Sequence, residues 1–571
     1  MRHRQAAPYI ALLGLALLPA QALAAPAKAD LLVLNAHIKT MDPLCPEAEA
    51  MVIRQGKIVA IGTSEQLKNS KATRVYDAGQ RLILPGLHDS HVHLAEGAVE
   101  FLQLNLKNSK DKKEILLHLA SYNNAHPRTD CIVGNGLPLP ALIGDSLTRV
   151  DLDRVCSTKP VVLHSEDGHT VWLNSKAIAL IKPETLAKLN SQASSKEMSE
   201  RFADGSLSGV FREQALIVAD DVTMGPAPAE RAAALKDAVK MANSFGITSI
   251  QDAHATADVV ESYQRLARAK ALNVRVTLAL HTDNSDPVSQ VKALIALREK
   301  INQSSSPHIL KATGAKIFVD GVLETGTAAL LAPYLKPQNN QRPEGQANLT
   351  PEALNALVAQ LVAADFNIHL HAIGDRAVRM ALDSLTPVLQ KSKSNNLRHQ
   401  IAHLEMIDRA DVARFKELNV TANWQSFWAF RDPYIEQLTM PQLGAERSQR
   451  LYPMQEVASS GARMSAGSDW TVSTLNPLDA MQVAVTRQSI TTKDKPALAI
   501  EQALTLEQIL KAYTTGGAWV NCSNSYTGSL SPGKLADFVV FDRDFVKGQS
   551  EDIHNALVVR TYLAGKPVYI R

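Results

Sequence analysis

The chain has 571 residues, 45% of them hydrophobic and 20% charged, with 60 Lys and Arg against 57 Asp and Glu. That is an ordinary globular composition, long enough for a large core, and it excludes a disordered chain. The near balance of charge leaves no polyelectrolyte footprint and argues against nucleic acid as a partner.

At the N-terminus Arg2 and Arg4 precede the apolar run "IALLGLALLPAQALA", Ile10 to Ala24, which closes on Ala22-Leu23-Ala24. A basic start, a short apolar stretch and an A-x-A exit form the pattern of a secretory signal. The stretch is too short for a comfortable membrane span. Residues 1–24 are therefore expected to be a signal peptide removed after Ala24. The chain would be exported, periplasmic or secreted, with no stable membrane anchor. Its formal charge would then be 58 − 57 = +1, because the leader carries two arginines and no acid. Four cysteines (Cys45, Cys131, Cys156 and Cys522) are too few for a disulfide scaffold. Cys131 and Cys156 are close enough in sequence to pair after export or to stay as buried thiols.

Next come "ADLLVLNAHIKTMD", "AMVIRQGKIVAIG" and "RVYDAGQRLILPG", short β-rich runs broken by turns. The C-terminal "GKLADFVVFDRD" and "VVRTYLAGKPVYIR" have the same texture. Together they predict one small β-sandwich domain assembled from 25–81 and 523–571, enclosing a different body over 82–522.

That body opens with "LPGLHDSHVHL". His91 and His93 are two apart, so on an extended backbone they share a face. Neutral imidazole is the commonest metal ligand; a solvated His-rich turn is the competing reading. Strand-like runs follow at 247–252, 273–280, 312–319, 366–371, 398–403, 419–424 and 463–468, most of them separated by helical patterns such as "PEALNALVAQLVAADF". With an opening strand at 82–88 the count is eight, which predicts an α/β protein built on a (β/α)₈ barrel. The stretch 105–245 is too long for one crossover and reads as a subdomain inserted after the first strand. "SQASSKEMSERFADGS" and "KPQNNQRPEGQANLT" read as surface loops.

Barrel strand ends are where catalytic groups sit. Here they hold His91 and His93, Lys316, His371, His403 and Asp469. Each has a structural alternative: Lys316 paired with Asp320, His371 and His403 as core histidines, Asp469 as a turn cap. Such residues at the mouths of five strands point instead to one site.

The ordered set "PGLHDSHVHL", "KIFVDG", "HAIGDRA", "AHLE" and "SAGSDW" resembles the amidohydrolase superfamily, as do the opening "IRQGKIVAIG" and the closing "GSLSPGKLADFVVFDRD". "EDGHTVWLNSKA", "GVFREQA" and "TGTAALLAPY" resemble its family 3 branch, which contains N-substituted formamide deformylases. The resemblance covers nearly the whole exported chain. It implies a TIM-like metallohydrolase barrel with one or two divalent ions, usually Zn²⁺, at the mouth. His91 and His93 would hold one ion, and His371 and His403 a second. Lys316, carrying CO₂ as a carbamate, would bridge them, and Asp469 would also reach the metal. His369 points inward but one layer deeper, and His88 is taken as structural.

The implied chemistry is hydrolysis of a non-peptide carbon–nitrogen bond, in an N-substituted formamide, another amide or a cyclic amide. Metal-activated hydroxide would attack, with Asp469 as proton shuttle and His403 helping the metal polarise the carbonyl. His169, Trp172, Asn174, Arg212, Trp424 and Gln425 are candidate contacts to a small-molecule amide substrate. Other readings are an exported regulator of exoenzyme production with a binding role, or a phosphoester or lactone hydrolase using the same ligands. A homodimer is compatible with either reading.

Overall fold

In the computed structural model the described residues are 28–571 except 128, 143–145, 192–197, 224, 285–288, 338–341 and 392–395. Residues 1–24, expected to be a signal peptide, lie outside them. The central sheet has eight strands in chain order: Leu87–Val92, Ile247–Ala255, Arg275–His281, Leu310–Phe318, Asn367–Ala372, Gln400–His403, Thr421–Trp424 and Met464–Ala466. Each pairs in parallel with the next. Helices cover the outside, so these strands are buried on both faces almost throughout, polar positions included.

The first and eighth strands meet where they end. Asp469 N donates to His91 O at 2.8 Å, and His93 N donates to Trp470 O at 3.1 Å. Gly467 makes this approach possible, because a Cβ there would stand 2.4 Å from His91 N.

The opening strand differs from the run expected at 82–88. Leu82–Pro85 pairs with His37–Lys39 and Phe538–Phe541 in the terminal sheet, and the barrel begins only at Leu87. Pro85 and Gly86 divide the apolar run. Pro has no N–H to continue a ladder, and a Cβ on Gly86 would lie 2.2 Å from Thr248 Oγ1.

Two sheets from the chain ends stack face to face: a four-stranded one (29–77) and a six-stranded one that combines 37–85 with 538–570. Ile83, Phe538 and Val540 fill the space between the sheets, whereas Leu82, Leu84, Val539 and Phe541 face the barrel core. The period of two in "LIL" and "FVVF" thus serves two cores at once.

A further six-stranded sheet is made from strands between Leu104 and Arg212. Its faces also alternate: Val161, Leu163 and Trp172 pack on one side, Val162, Val171 and Leu173 on the other. The run 191–206 lies partly outside the described residues, and Ser199–Arg201 within it is a strand rather than loop. Cys131 and Cys156 are free thiols packed in different clusters of this subdomain.

One buried ion pair ties barrel to sandwich. Arg275, the first residue of the third barrel strand, donates through Nε and Nη2 to both oxygens of Asp537, at 2.6 and 2.9 Å. Asp537 Oδ1 also accepts from Ala564 N at 2.7 Å. Removing one partner strands the other's charge, which typically costs about 3–5 kcal/mol. Asp537→Ala should therefore lose stability on that scale in urea unfolding. A loss below about 1 kcal/mol would mean the pair is not a fastening between the two bodies.

Candidate active site

The pleat aims the site. His91 lies within the buried first strand and His93 just past it, at the start of helix Leu94–Val99. Around them come Lys316 from the fourth strand, His369 and His371 from the fifth, His403 from the sixth and Asp469 after the eighth. His93 Nε2 is 3.0 Å from Asp469 Oδ1, His91 Nε2 is 3.4 Å from the same oxygen, and His403 Nδ1 is 3.9 Å from Asp469 Oδ2. Lys316 Nζ is 3.3 Å from His91 Nε2. The His371 and His403 rings are 4.4 Å apart between centroids. The six residues at the strand ends therefore face one opening. Lys316 does not pair with Asp320, whose oxygens accept from the Ala329, Ile373 and Gly374 amides instead.

Supporting groups orient this set. His369 Nε2 is 2.9 Å from His91 Nδ1, which holds the His91 ring with Nε2 toward Asp469. His371 Nε2 donates to Gly321 O at 3.1 Å, which leaves the Nδ1 lone pair available. Asp89 Oδ1 accepts from His91 N and Ser468 N, stitching the first strand to the eighth. His403 (φ 78°) and Asp469 (φ 51°) both adopt left-handed backbone, a strain that sites tolerate only where the surroundings enforce it. For His403 the enforcing contact is its N–H bonded to Gln425 Oε1 at 2.9 Å.

The electrostatics suit a cation. Burial first, then the neighbouring Lys316 and histidines, hold His91 and His403 well below the usual imidazole range, so both are neutral imidazoles able to offer a lone pair. Burial and Lys316 do the same for His371. Burial opposes charge on His93, but Asp469 and Glu96 outweigh it and move that pKa up. Burial brings Lys316 down to about 7. Both ring nitrogens of His403 are buried without a hydrogen bond, and Oδ1 of Asp469 has only the His91 and His93 ring nitrogens beside it. Orphaned imidazole and carboxylate lone pairs converging on one spot are the donor set of a divalent transition metal. His91, His403 and Asp469 lie close enough together to share one ion.

A second convergence abuts the first. His93, Glu96 and His254 lie within ligand reach of one another, and His254 Nε2 is 2.9 Å from His281 Nδ1. His254 and His281 escaped sequence reading because the second and third strands were ended at 252 and 280. They extend to Ala255 and His281, so these two histidines also stand at strand ends.

All six residues line one open cavity of about 1800 Å³. Of the six candidate substrate contacts, only His169 lines it. Its Nδ1 is 3.0 Å from Glu213 Oε2, and this carboxylate, outweighing burial, raises its pKa to about 9. The other five have structural duties. Trp172 is buried in the subdomain core with Nε1 donating to Thr148 O. Asn174 caps helix Ser175–Ile178. Arg212 pairs with Glu200 at 2.6 Å. Trp424 is buried in the core around the barrel, while its neighbour Asn423 turns inward to Ser90 O, as strand alternation requires. Gln425 positions His403 from behind. None of these duties was readable from motif position alone.

The amidohydrolase family model matches residues 74–569. The chain is similar to the exoenzymes regulatory protein AepA of Pectobacterium carotovorum subsp. carotovorum, 29% identical over 68% of this chain and 84% of that one. It is also similar to the N-substituted formamide deformylase of Arthrobacter pascens, 24% identical over 95% of this chain and 98% of that one. Among solved structures, an uncharacterized metal-dependent hydrolase from Pyrococcus horikoshii OT3 superposes with a TM-score of 0.70, at 23% identity, covering 91% of this chain and 99% of the other. The chain belongs to the amidohydrolase family, hydrolases of carbon–nitrogen bonds other than peptide bonds.

Proposed function

We propose that the protein hydrolyses a non-peptide amide, an N-substituted formamide, another N-acyl amine or a cyclic amide, with divalent metal at the barrel mouth. The observation that carries this reading is the convergence of His91, His93, Lys316, His371, His403 and Asp469 on one cavity, with buried donor atoms left without partners. Zn²⁺ is the expected ion for such imidazole-rich donors. The formamide deformylase relative supports the amide class of substrate.

When bound, the metal supplies Lewis acidity, lowering the pKa of water and polarising a carbonyl. The chain's own residues do the rest. As water oxygen bonds to the carbonyl carbon, Asp469 accepts a water proton, then delivers it to the nitrogen as the C–N bond breaks. The products are a carboxylic acid and an amine. Burial brings Lys316 down to about 7, which favours the free amine over the ammonium. The free Nζ amine could add to CO₂ with loss of one proton, which would place a carboxylate able to hold metal where an ammonium would repel it.

The regulator relative favours a second reading, binding without turnover. Against it stands a ligand set with no position missing. Metal analysis of the purified protein, with turnover measured on N-formyl, N-acyl and cyclic amides beside a phosphotriester and a lactone, tests the reading. About one or two metal ions per chain and amide cleavage are expected. Cleavage of the ester substrates alone would overturn it.

Export belongs to the same reading. The tripartite N-terminus leads us to expect mature periplasmic protein starting at Ala25. Intact mass of periplasmic material that still includes Met1 to Ala24 would rule this out.

A further inference from the structure

Two clusters of donor atoms meet at the barrel mouth, and His93 stands between them. Its Nε2 faces Asp469 Oδ1 at 3.0 Å. Its Nδ1 is buried, makes no hydrogen bond and looks toward Glu96 Oε2 at 3.6 Å. The other oxygen of Glu96, Oε1, is 2.8 Å from His254 Nδ1. His93, Glu96 and His254 each offer one ligand atom, and the three lie within 4.8 Å of one another.

The chain builds this second cluster with care for direction. His93 precedes helix Leu94–Val99, and Glu96 sits in the first turn of that helix. His254 comes from the second barrel strand, whose register shifts between Asp252 and Ala255. An irregularity of that kind re-aims a side chain. Asp252 fixes both halves of the cluster. Its Oδ2 accepts from Ala95 N at 3.4 Å and from Tyr263 OH at 2.8 Å, and its Oδ1 accepts from His254 N at 3.3 Å. His281 Nδ1, 2.9 Å from His254 Nε2, holds the ring from behind. A proton on His254 Nε2 directed at His281 leaves the Nδ1 lone pair facing Glu96.

An imidazole lone pair and a carboxylate oxygen stand this close only with a cation between them. A proton on His254 Nδ1 would satisfy Glu96 but leave His93 Nδ1 without a partner. A metal ion satisfies all three atoms at once. Ligands about 2.1 Å from one ion stand about 3.0–3.4 Å from each other. The observed spacings of 2.8 and 3.6 Å bracket that span. Two imidazoles and one carboxylate suit a transition ion such as Zn²⁺ rather than Mg²⁺ or Ca²⁺.

Resting on the reading of a metal at the barrel mouth, we infer that a second, separate ion binds His93 Nδ1, Glu96 and His254, with His281 orienting His254. The mouth ion then rests on His91, His403 and Asp469, which converge without His93. The two histidines of the first strand are thereby divided between two ions, although their spacing suggested a shared one. His93, Glu96 and His254 all line the cavity, so three protein ligands leave a position open toward it. The second ion is also the more exchangeable. Its ligands keep 21% to 39% of their side chains exposed, against 7% or less for His91, His403 and Asp469.

The test counts ions and so does not depend on turnover. Full-length protein stripped with a chelator is titrated with Zn²⁺ in bicarbonate buffer, followed by calorimetry and by elemental analysis after dialysis. The parent should show two classes of site, the second weaker by at least about tenfold. Glu96→Gln and His254→Ala should each lose the weaker class alone. His281→Ala should weaken that class by about ten- to a hundredfold while the tight class stays. Anomalous scattering from crystals of the Zn²⁺-loaded parent should place a peak between His93, Glu96 and His254 that Glu96→Gln lacks. Parent stoichiometry retained in both ligand variants would overturn the assignment. So would loss of both classes together, which would make the cluster a support of the mouth site. Amide turnover is scored separately on the same samples. Turnover with no ion at this cluster overturns the inference and leaves the hydrolase reading standing. An ion at the cluster in a protein that cleaves no amide upholds the site and overturns that reading instead.

Discussion

Asp469→Asn is expected to keep most of its metal while kcat falls by at least about a hundredfold. The residue lies in left-handed backbone at the barrel seam, its N–H bonded to His91 O, with one oxygen 3.0 Å from His93 and the other facing His403. As a ligand it is one among several, because four histidines and Lys316 remain. As a proton carrier it has no evident substitute. Asp89 is buried and occupied in bonding His91 N and Ser468 N, and Glu96 is bonded to His254. Asparagine keeps the shape and an oxygen lone pair but cannot accept the proton. General acid–base help is worth about 10² to 10⁴, and here one group serves both transfers. His91→Ala or His93→Ala should instead lose metal and rate together. Metal content and kcat measured on the same preparations separate these outcomes. An Asp469→Asn protein that retains metal and works within a few-fold of the parent would refute the shuttle.

Lys316→Ala is expected to empty at least one metal position and bring turnover to background. Lys316 is 1% exposed, with Nζ 3.3 Å from His91 Nε2 and 4.7 Å above the Phe318 ring. An ammonium at that point would repel a cation bound by His91, by several kcal/mol if solvent is excluded. A carbamate reverses the sign. The reaction with CO₂ needs the free amine, so burial that lowers this pKa favours it. Metal uptake by stripped protein should therefore require bicarbonate and fail below about pH 6, where Nζ is protonated. Equal uptake with and without bicarbonate, or an alanine variant with normal metal content, would reduce Lys316 to a packing residue. Thermal melts of the variant guard against the trivial explanation of misfolding, since the alanine leaves a gap beside Phe318.

The sequence by itself determined the barrel, its family and the six residues at its mouth. Strand alternation places side chains at fixed intervals, so "HVH", "AKIF", "HLH", "AHL" and "GSD" declare which groups share a face before any contact is known. The composite β-rich ends were equally legible as strands, because period two is local. The division at Pro85-Gly86 was not. Leu82–Pro85 and Leu87–Val92 are alike in apolar content, and only pairing with Phe538–Phe541 in one sheet and Ile247–Ala255 in the other separates them. Where the candidate substrate contacts point was not legible for the same reason. Trp172, Asn174, Arg212 and Trp424 sit in distinctive motifs, but a motif does not say whether a side chain turns toward a cavity or a core. Their partners are Thr148, Cys156, Glu200 and the apolar residues around Trp424, and each is settled by register or burial. The carboxyl groups that line the cavity are the clearest case. Glu166, Glu324, Glu405 and Asp432 are scattered over nearly half the chain. They become one feature only where the subdomain sheet, the loops and the barrel mouth close on the same cavity.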